Sequence, residues 1–140
     1  MTTAIDTNVL VALWNDDDAL NLPAQRVVDE ARSRRALVVS APVYAELLAE
    51  PQRDEKFVDH FFAEAGIVVA WGFSEEMWRE AGKAYQGYAT RRRRRGEAGP
   101  RRILADFLIG AHALIRGYKL LTLDERMYRT AFPRLAIASL

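Results

Sequence analysis

Four carboxylates stand where an α/β chain can do chemistry. Asp6, in "AIDTNVL", follows a short apolar run and opens a helical pattern. Asp124 repeats the arrangement: "KLLTLDERMY" is an apolar run ending in an acid, with Thr122 on the same face by the strand period. In an open α/β sheet ligands bind beyond the carboxyl ends of the strands, so both acids are placed for a site. For each, a helix N-cap is the competing reading. Asp106, in "RRILADFLIGAHALI", is harder to explain as a terminus, because a carboxylate among Leu104, Phe107, Leu108 and Ile109 is costly without a partner. The dipole at a helix start offsets only ~0.3–1 kcal/mol at an exposed site. Glu46, in "SAPVYAELLAE", lies at the edge of a buried face formed by Val43, Tyr44, Leu47 and Leu48. A surface glutamate is its bland reading, and Glu50 is its rival one turn on; Glu46 is preferred because it lies nearer the preceding strand.

Backbone dimensions link two of these acids. From Asp106 to Gly117 a helix advances ~16 Å. The strand from Tyr118 to Asp124 returns ~20 Å, bringing Asp124 to the level of Asp106. Gly110 and Ala113, on the ridge of Asp106, are expected to leave room around its carboxylate. Acids gathered in this way repel by several kcal/mol at ~4 Å, even at an effective dielectric near ~20. A hard divalent cation relieves that repulsion. With no cysteine in the chain, Mg²⁺ or Mn²⁺ held by oxygen ligands fits best. His60 and His112 are read as structural or surface residues, since His112 projects about 120° around the helix from Asp106.

The elements that must carry these residues follow from periodicity. "TTAI", "ALVVS", "GIVVAW", "YKLLTL" and a weaker "LAIA" read as strands. "TNVLVALW", "PAQRVVDEARSRR", "APVYAELLAE", "RDEKFVDHFFAEAG", "SEEMWREAGKAYQGYATR" and "RRILADFLIGAHALIRG" read as helices. Pro23 and Pro42 suit helix starts, and Gly66 and Gly117 suit left-handed ends. The alternation predicts an α/β fold with a mainly parallel sheet. At 140 residues, half of them hydrophobic, the chain suits one domain over 1–140, with no repeat or linker. Its first apolar run is too short for a signal peptide or a membrane span, so a cytoplasmic protein without a membrane partner is expected.

Charge is unevenly spread. Seven of the 20 basic residues fall between Arg91 and Arg102 with Glu97 as the only acid among them, leaving 13 basic against 18 acidic residues elsewhere. Such asymmetry points to a polyanion or an acidic peptide as partner, with a solvated face as the bland reading. Gly96, Gly99 and Pro100 break the helical pattern, and the arginine run is expected in a loop. Tyr85 and Tyr88 lie close enough in sequence to stack bases, although helix packing is the commoner fate. Trp14, Trp71 and Trp78 are expected as core or dimer contacts.

"AIDTNVLVALW", "APVYAELL", "ADFLIGAHA" and "LLTLDERMY" together resemble PIN-domain ribonucleases, and within them the VapC-type toxins of bacterial toxin–antitoxin pairs. The resemblance spans the whole domain, and Asp6, Glu46, Asp106 and Asp124 follow the family's order and spacing. It implies a five-stranded parallel sheet with helices on both faces, and Mg²⁺- or Mn²⁺-dependent RNA cleavage by those four acids. It also implies a homodimer and a small VapB-like antitoxin that blocks the site. Thr7, Asn8 and Thr122 match positions that orient the acids or water. Arg91, Arg92, Arg93, Arg94, Arg95, Arg101 and Arg102 become candidates for contact with RNA or antitoxin. Residues 50 to 100 carry no family motif, so the substrate-selecting region is unread.

The expected reaction is hydrolysis of an RNA phosphodiester, with departure of the 3′ oxygen leaving a 5′-phosphate. No Ser–His–Asp, Cys–His or paired-histidine arrangement offers a metal-free route. A haloacid-dehalogenase-like phosphatase needs a second aspartate two residues after the first, where this chain has Asn8. Two rival functions compete with the toxin. One is a non-catalytic docking module, which would bind no Mn²⁺, and the second is a housekeeping RNA-processing nuclease without an antitoxin.

Overall fold

The computed structural model describes residues 2–34, 36–99, 101–138 and 140. Among them the chain alternates strands and helices as its periodicity predicts. The strands are β1 (Thr3–Ile5), β2 (Leu37–Ser40), β3 (Ile67–Ala70), β4 (Lys119–Leu121) and β5 (Ile137–Ala138). The helices are α1 (Thr7–Trp14), α2 (Asn21–Ser33), α3 (Ala41–Leu47), α4 (Glu55–Ala65), α5 (Glu75–Arg94), α6 (Leu104–Arg116) and α7 (Glu125–Ala131). All four strand pairings are parallel, in the order β3-β2-β1-β4-β5. Parallel neighbours need crossovers, so the helices cover both faces and the central strands are mainly apolar. Val39, Leu120 and Leu121 of the sheet, with Val9, Leu10, Val43 and Phe107 of the helices, are fully buried.

This topology places a site. From β1 the chain builds outward through β2 and β3, then crosses to β4 and β5 on the other side. The order therefore reverses between β1 and β4, and a crevice opens at their carboxyl ends. The register pairs Ile5 with Leu121, so the residues that follow both strands emerge side by side. Asp6 and Thr122 are among them.

Several expectations are corrected. The arginine run is not a loop: α5 continues through Arg94, with Arg95 as its C-cap. Arginine is a strong helix former and its charge is favoured at a helix C-terminus, so the helix runs on until Gly96, at φ 71°, turns it. Pro100 lies outside the described residues. Leu104, expected on a buried face, is exposed, whereas α6 is buried on every side from Phe107 to Ala113. Trp14 packs edge-on against Phe57 and Phe61, but Trp71 and Trp78 are largely exposed and are not core residues.

Gly110 is small for a different reason from the one expected. The space at its Cα is occupied by the Phe132 ring, and a Cβ there would stand 2.3 Å from a ring carbon. Gly110→Ala is therefore expected to destabilise the fold by ~1–3 kcal/mol, the usual cost of overpacking. Urea unfolding measures this, and an unchanged midpoint would contradict the close approach of α6 and Phe132.

Candidate metal centre

The four carboxylates reach one pocket of about 390 Å³ from four different places in the chain. Asp6 follows β1, Glu46 lies in α3, Asp106 is in the first turn of α6, and Asp124 precedes α7. Thr7, Asn8, Val11, Asp18, Arg102 and Leu123 complete the walls. Glu50 is not among the lining residues and instead lines a separate groove with Trp14 and Arg53. The structure thus separates the two glutamates between which periodicity alone decided weakly.

Short hydrogen bonds hold the acids in place. Asp6 has extended backbone at the end of β1, and its N–H donates to the Leu121 carbonyl at 2.9 Å. Its Oδ1 accepts from the Thr7 N–H at 2.8 Å and its Oδ2 from the Thr122 hydroxyl at 2.8 Å. The same Thr122 oxygen accepts from the Asp124 N–H at 3.0 Å, so one buried hydroxyl links the two acids across the β1/β4 crevice. Asn8 Oδ1 accepts from the Leu123 N–H at 3.2 Å, holding the same turn from the α1 side. The Thr7 hydroxyl donates to Glu46 Oε1 at 2.7 Å, tying α1 to α3.

Capping explains only one of these acids. Asp6 is the N-cap of α1. Asp124 occupies the N-cap position of α7 but makes no capping hydrogen bond; its Oδ2 instead meets Arg102 Nη1 at 2.5 Å. Among the described residues, no side chain donates a hydrogen bond to the Asp106 carboxylate; only the Ile103 N–H approaches it.

The electrostatics favour a cation. Burial raises the Asp6 carboxyl from its ordinary 3.8 to about 6, against the lowering effect of the Thr122 and Thr7 hydrogen bonds, with Asp106 adding repulsion. Asp106 is raised by burial, by Glu46 and by Asp124, and lowered by Arg102. An all-oxygen set of four mutually repelling carboxylates suits a hard divalent ion. Among the described residues, however, no three acids converge closely enough to grip an ion as the side chains stand. Glu46 is engaged by Thr7 and Asp124 by Arg102. The donors fit in type and face one pocket, with Arg102 supplying positive charge at its edge.

Two residues in or near the pocket escaped the sequence reading. Asp18 lines the wall, and its Oδ1 caps the Leu20 N–H at 2.8 Å; in "NDDD" nothing singled it out. Tyr128 is 1% exposed, and its hydroxyl makes no hydrogen bond of good geometry. Burial and the fields of Asp6, Asp106 and Glu46 raise it well above the usual phenol range, so a protonated hydroxyl lies under the acids. Its spacing of four residues from Asp124 was the signal that could have found it. His112 is buried between Phe73 and Tyr118, and burial lowers its pKa, as befits a structural imidazole. Tyr85 and Tyr88 pack on Phe107 with centroids at 4.9 and 5.5 Å, and the Tyr88 hydroxyl also accepts from the Arg101 and Arg102 N–H groups.

The family whose model matches residues 3–133 is described as the PIN domain. No curated protein matches the sequence. Solved structures share the fold at low identity. The chain is similar to one in VapBC2 from Rickettsia felis bound to a DNA fragment from its promoter, at TM-score 0.63 and 19% identity, covering 100% of this chain and 99% of that one. VapBC-1 from nontypeable Haemophilus influenzae gives TM-score 0.66 and 20% identity, covering 99% and 98%. FitAcB from Neisseria gonorrhoeae gives 0.63 and 20%, covering 97% and 96%.

Proposed function

The chain belongs to the PIN-domain family, and from that premise we propose that it is a VapC-type toxin, a Mg²⁺- or Mn²⁺-dependent endoribonuclease. The observation that carries this reading is the convergence of Asp6, Glu46, Asp106 and Asp124 on one pocket at the topological switch point. The likeness to chains of VapBC and FitAB complexes supports a toxin–antitoxin role. The reading includes a single domain over 1–140, a homodimer and a small VapB-like antitoxin. No helix among the described residues is long and apolar enough to cross a membrane; a cytoplasmic location is part of the proposal.

Asp6, Asp106 and Asp124 would hold the ion, with Glu46 as the fourth acid. Once bound, Mg²⁺ or Mn²⁺ would lower the pKa of a water and offset charge developing on the phosphate. The chain's own part is orientation. Thr122 fixes Asp6 and the Asp124 backbone, Thr7 directs Glu46, and Asn8 holds the turn at Leu123. Arg102, beside Asp124, is positioned to meet an incoming phosphate.

Expression of the chain alone should arrest growth and create new 5′ ends on cellular RNA, and co-expression of the adjacent antitoxin gene should relieve both. A purified, folded protein that leaves RNA intact with Mn²⁺ present would defeat the nuclease reading. Harmless expression of a cleavage-competent protein would instead leave a housekeeping nuclease.

A further inference from the structure

A second groove, of about 280 Å³, lies beside the acid pocket on the side of α7. Arg91 and Arg95 from the end of α5, Arg102 from the segment before α6, and Arg126 from α7 all line it. Arg102 and Asp124 line both cavities, so the basic groove and the carboxylate pocket adjoin across that ion pair. We propose that Arg91, Arg95, Arg102 and Arg126 form a subsite for the phosphate chain of single-stranded RNA, flanking the phosphate that is cut. This rests on the nuclease reading and deepens it.

The arginine run is divided by the structure into members that hold the protein together and members that do not. Arg92 is structural: it pairs with Glu97 and donates to the Ala98 carbonyl at 3.0 Å and to that of Gly99. Arg93 reaches back to the Thr90 hydroxyl at 3.3 Å. The Tyr88 hydroxyl accepts from the Arg101 and Arg102 N–H groups at 3.0 and 3.1 Å. These bonds fold the segment after α5 back on the helix end and fix the backbone that carries Arg102. Arg91, Arg95 and Arg126, by contrast, make no ion pair among the described residues. Arg91 lies back over Gly87, with Nη1 3.2 Å from where a Cβ would stand, so the glycine makes room for it.

Guanidinium groups drawn from three segments around one groove repel each other, and among the described residues Asp124 is the only carboxylate lining it. Multivalent anions relieve that repulsion. A polynucleotide repeats its charge along the chain, so it can set one phosphate at the acids and neighbouring phosphates in the groove. An acidic peptide running the same course would add carboxylates to a pocket that is already lined by five. Tyr85 is stacked on Phe107, and Tyr88, which packs on the same ring and lines the groove, has its hydroxyl engaged by the Arg101 and Arg102 N–H groups. The subsite therefore grips the backbone and positions it without reading sequence.

The test is the binding of fluorescent single-stranded RNA of two unrelated sequences, in chelator to prevent cleavage, over a series of salt concentrations. The triple variant Arg91→Gln/Arg95→Gln/Arg126→Gln is compared with Arg93→Gln/Arg94→Gln, whose residues lie outside the groove. Each lost phosphate contact lowers the log–log salt slope by ~0.7, so the triple variant should lose about 2 and bind both RNAs at least about tenfold more weakly at low salt. The double variant should keep the wild-type slope, and Mn²⁺ binding should be unchanged in both. An unaltered slope in the triple variant overturns the proposal, as does an equal loss in the double variant. RNA binding that holds while binding of an acidic partner protein weakens overturns it too, assigning the groove to that partner. Failure of the wild-type protein to bind Mn²⁺ or cut RNA would sink the nuclease reading itself. A wild-type protein that cuts, beside a triple variant that binds RNA normally, sinks the subsite alone.

Discussion

Replacing Asp106 with asparagine should abolish most metal-dependent RNA cleavage while leaving the protein folded. The substitution keeps the shape of the side chain and removes a negative ligand. Loss of even an outer-shell partner of a metal site typically costs ~10–100-fold, so loss of a direct ligand should exceed about 100-fold. Stability should not suffer. The carboxylate is half-buried, receives no side-chain hydrogen bond among the described residues, and is held above its ordinary pKa by burial and by Glu46 and Asp124. Neutralising it relieves those repulsions. Cleavage rate, Mn²⁺ affinity by calorimetry and thermal unfolding should be measured together. A folded Asp106→Asn protein that cuts RNA at the wild-type rate would refute the site. In the same assay Glu46→Gln should be far more damaging than Glu50→Gln, because Glu46 faces the acids and Glu50 lines another groove.

Asp6→Asn should stabilise the metal-free protein, and the gain should depend on pH. The Asp6 carboxyl titrates at about 6 in the fold, against an ordinary 3.8. A raised pKa means that the folded state prefers the protonated form. The favourable contribution of Asp6 is thus complete below the unfolded value and is lost as pH rises through 6. A rise from 3.8 to about 6 corresponds to about 3 kcal/mol, an upper figure for a side chain this buried. Relative to wild type, the metal-free variant should gain almost nothing at pH 4 and about 2–3 kcal/mol at pH 7.5. Added Mn²⁺ should stabilise the wild type near neutrality and do little for the variant. Urea unfolding in chelator from pH 4 to 8 measures the difference. A gain that is constant with pH would mean that Asp6 is not held against its charge in the fold.

The order of elements was legible because it rests on local periods. Strand runs of buried Val, Ile and Leu, helices ending at Gly66 and Gly117, and the alternation between them needed no knowledge of distant contacts. The approach of Asp106 and Asp124 was legible for a related reason. Helix rise and strand rise are near-constant, so a helix of known length followed by a returning strand measures distance along the fold. The arginine run shows where local reading fails. Glycines and a proline nearby suggested a loop, but the helix ends only where arginine propensity and the end dipole give way to Gly96.

By itself, then, the sequence determined which acids stand at strand ends and the parallel α/β frame that carries them, since backbone geometry and hydrophobic period act over neighbouring residues. Tertiary structure alone decided what each side chain meets. It set Thr122 between Asp6 and Asp124, turned Arg102 onto Asp124, laid Phe132 over Gly110, and placed the Tyr128 hydroxyl beneath the acids. Those pairings join residues up to 116 positions apart. They depend on how helices and sheet settle against one another to within an ångström or so, and no local repeat in the chain carries that information.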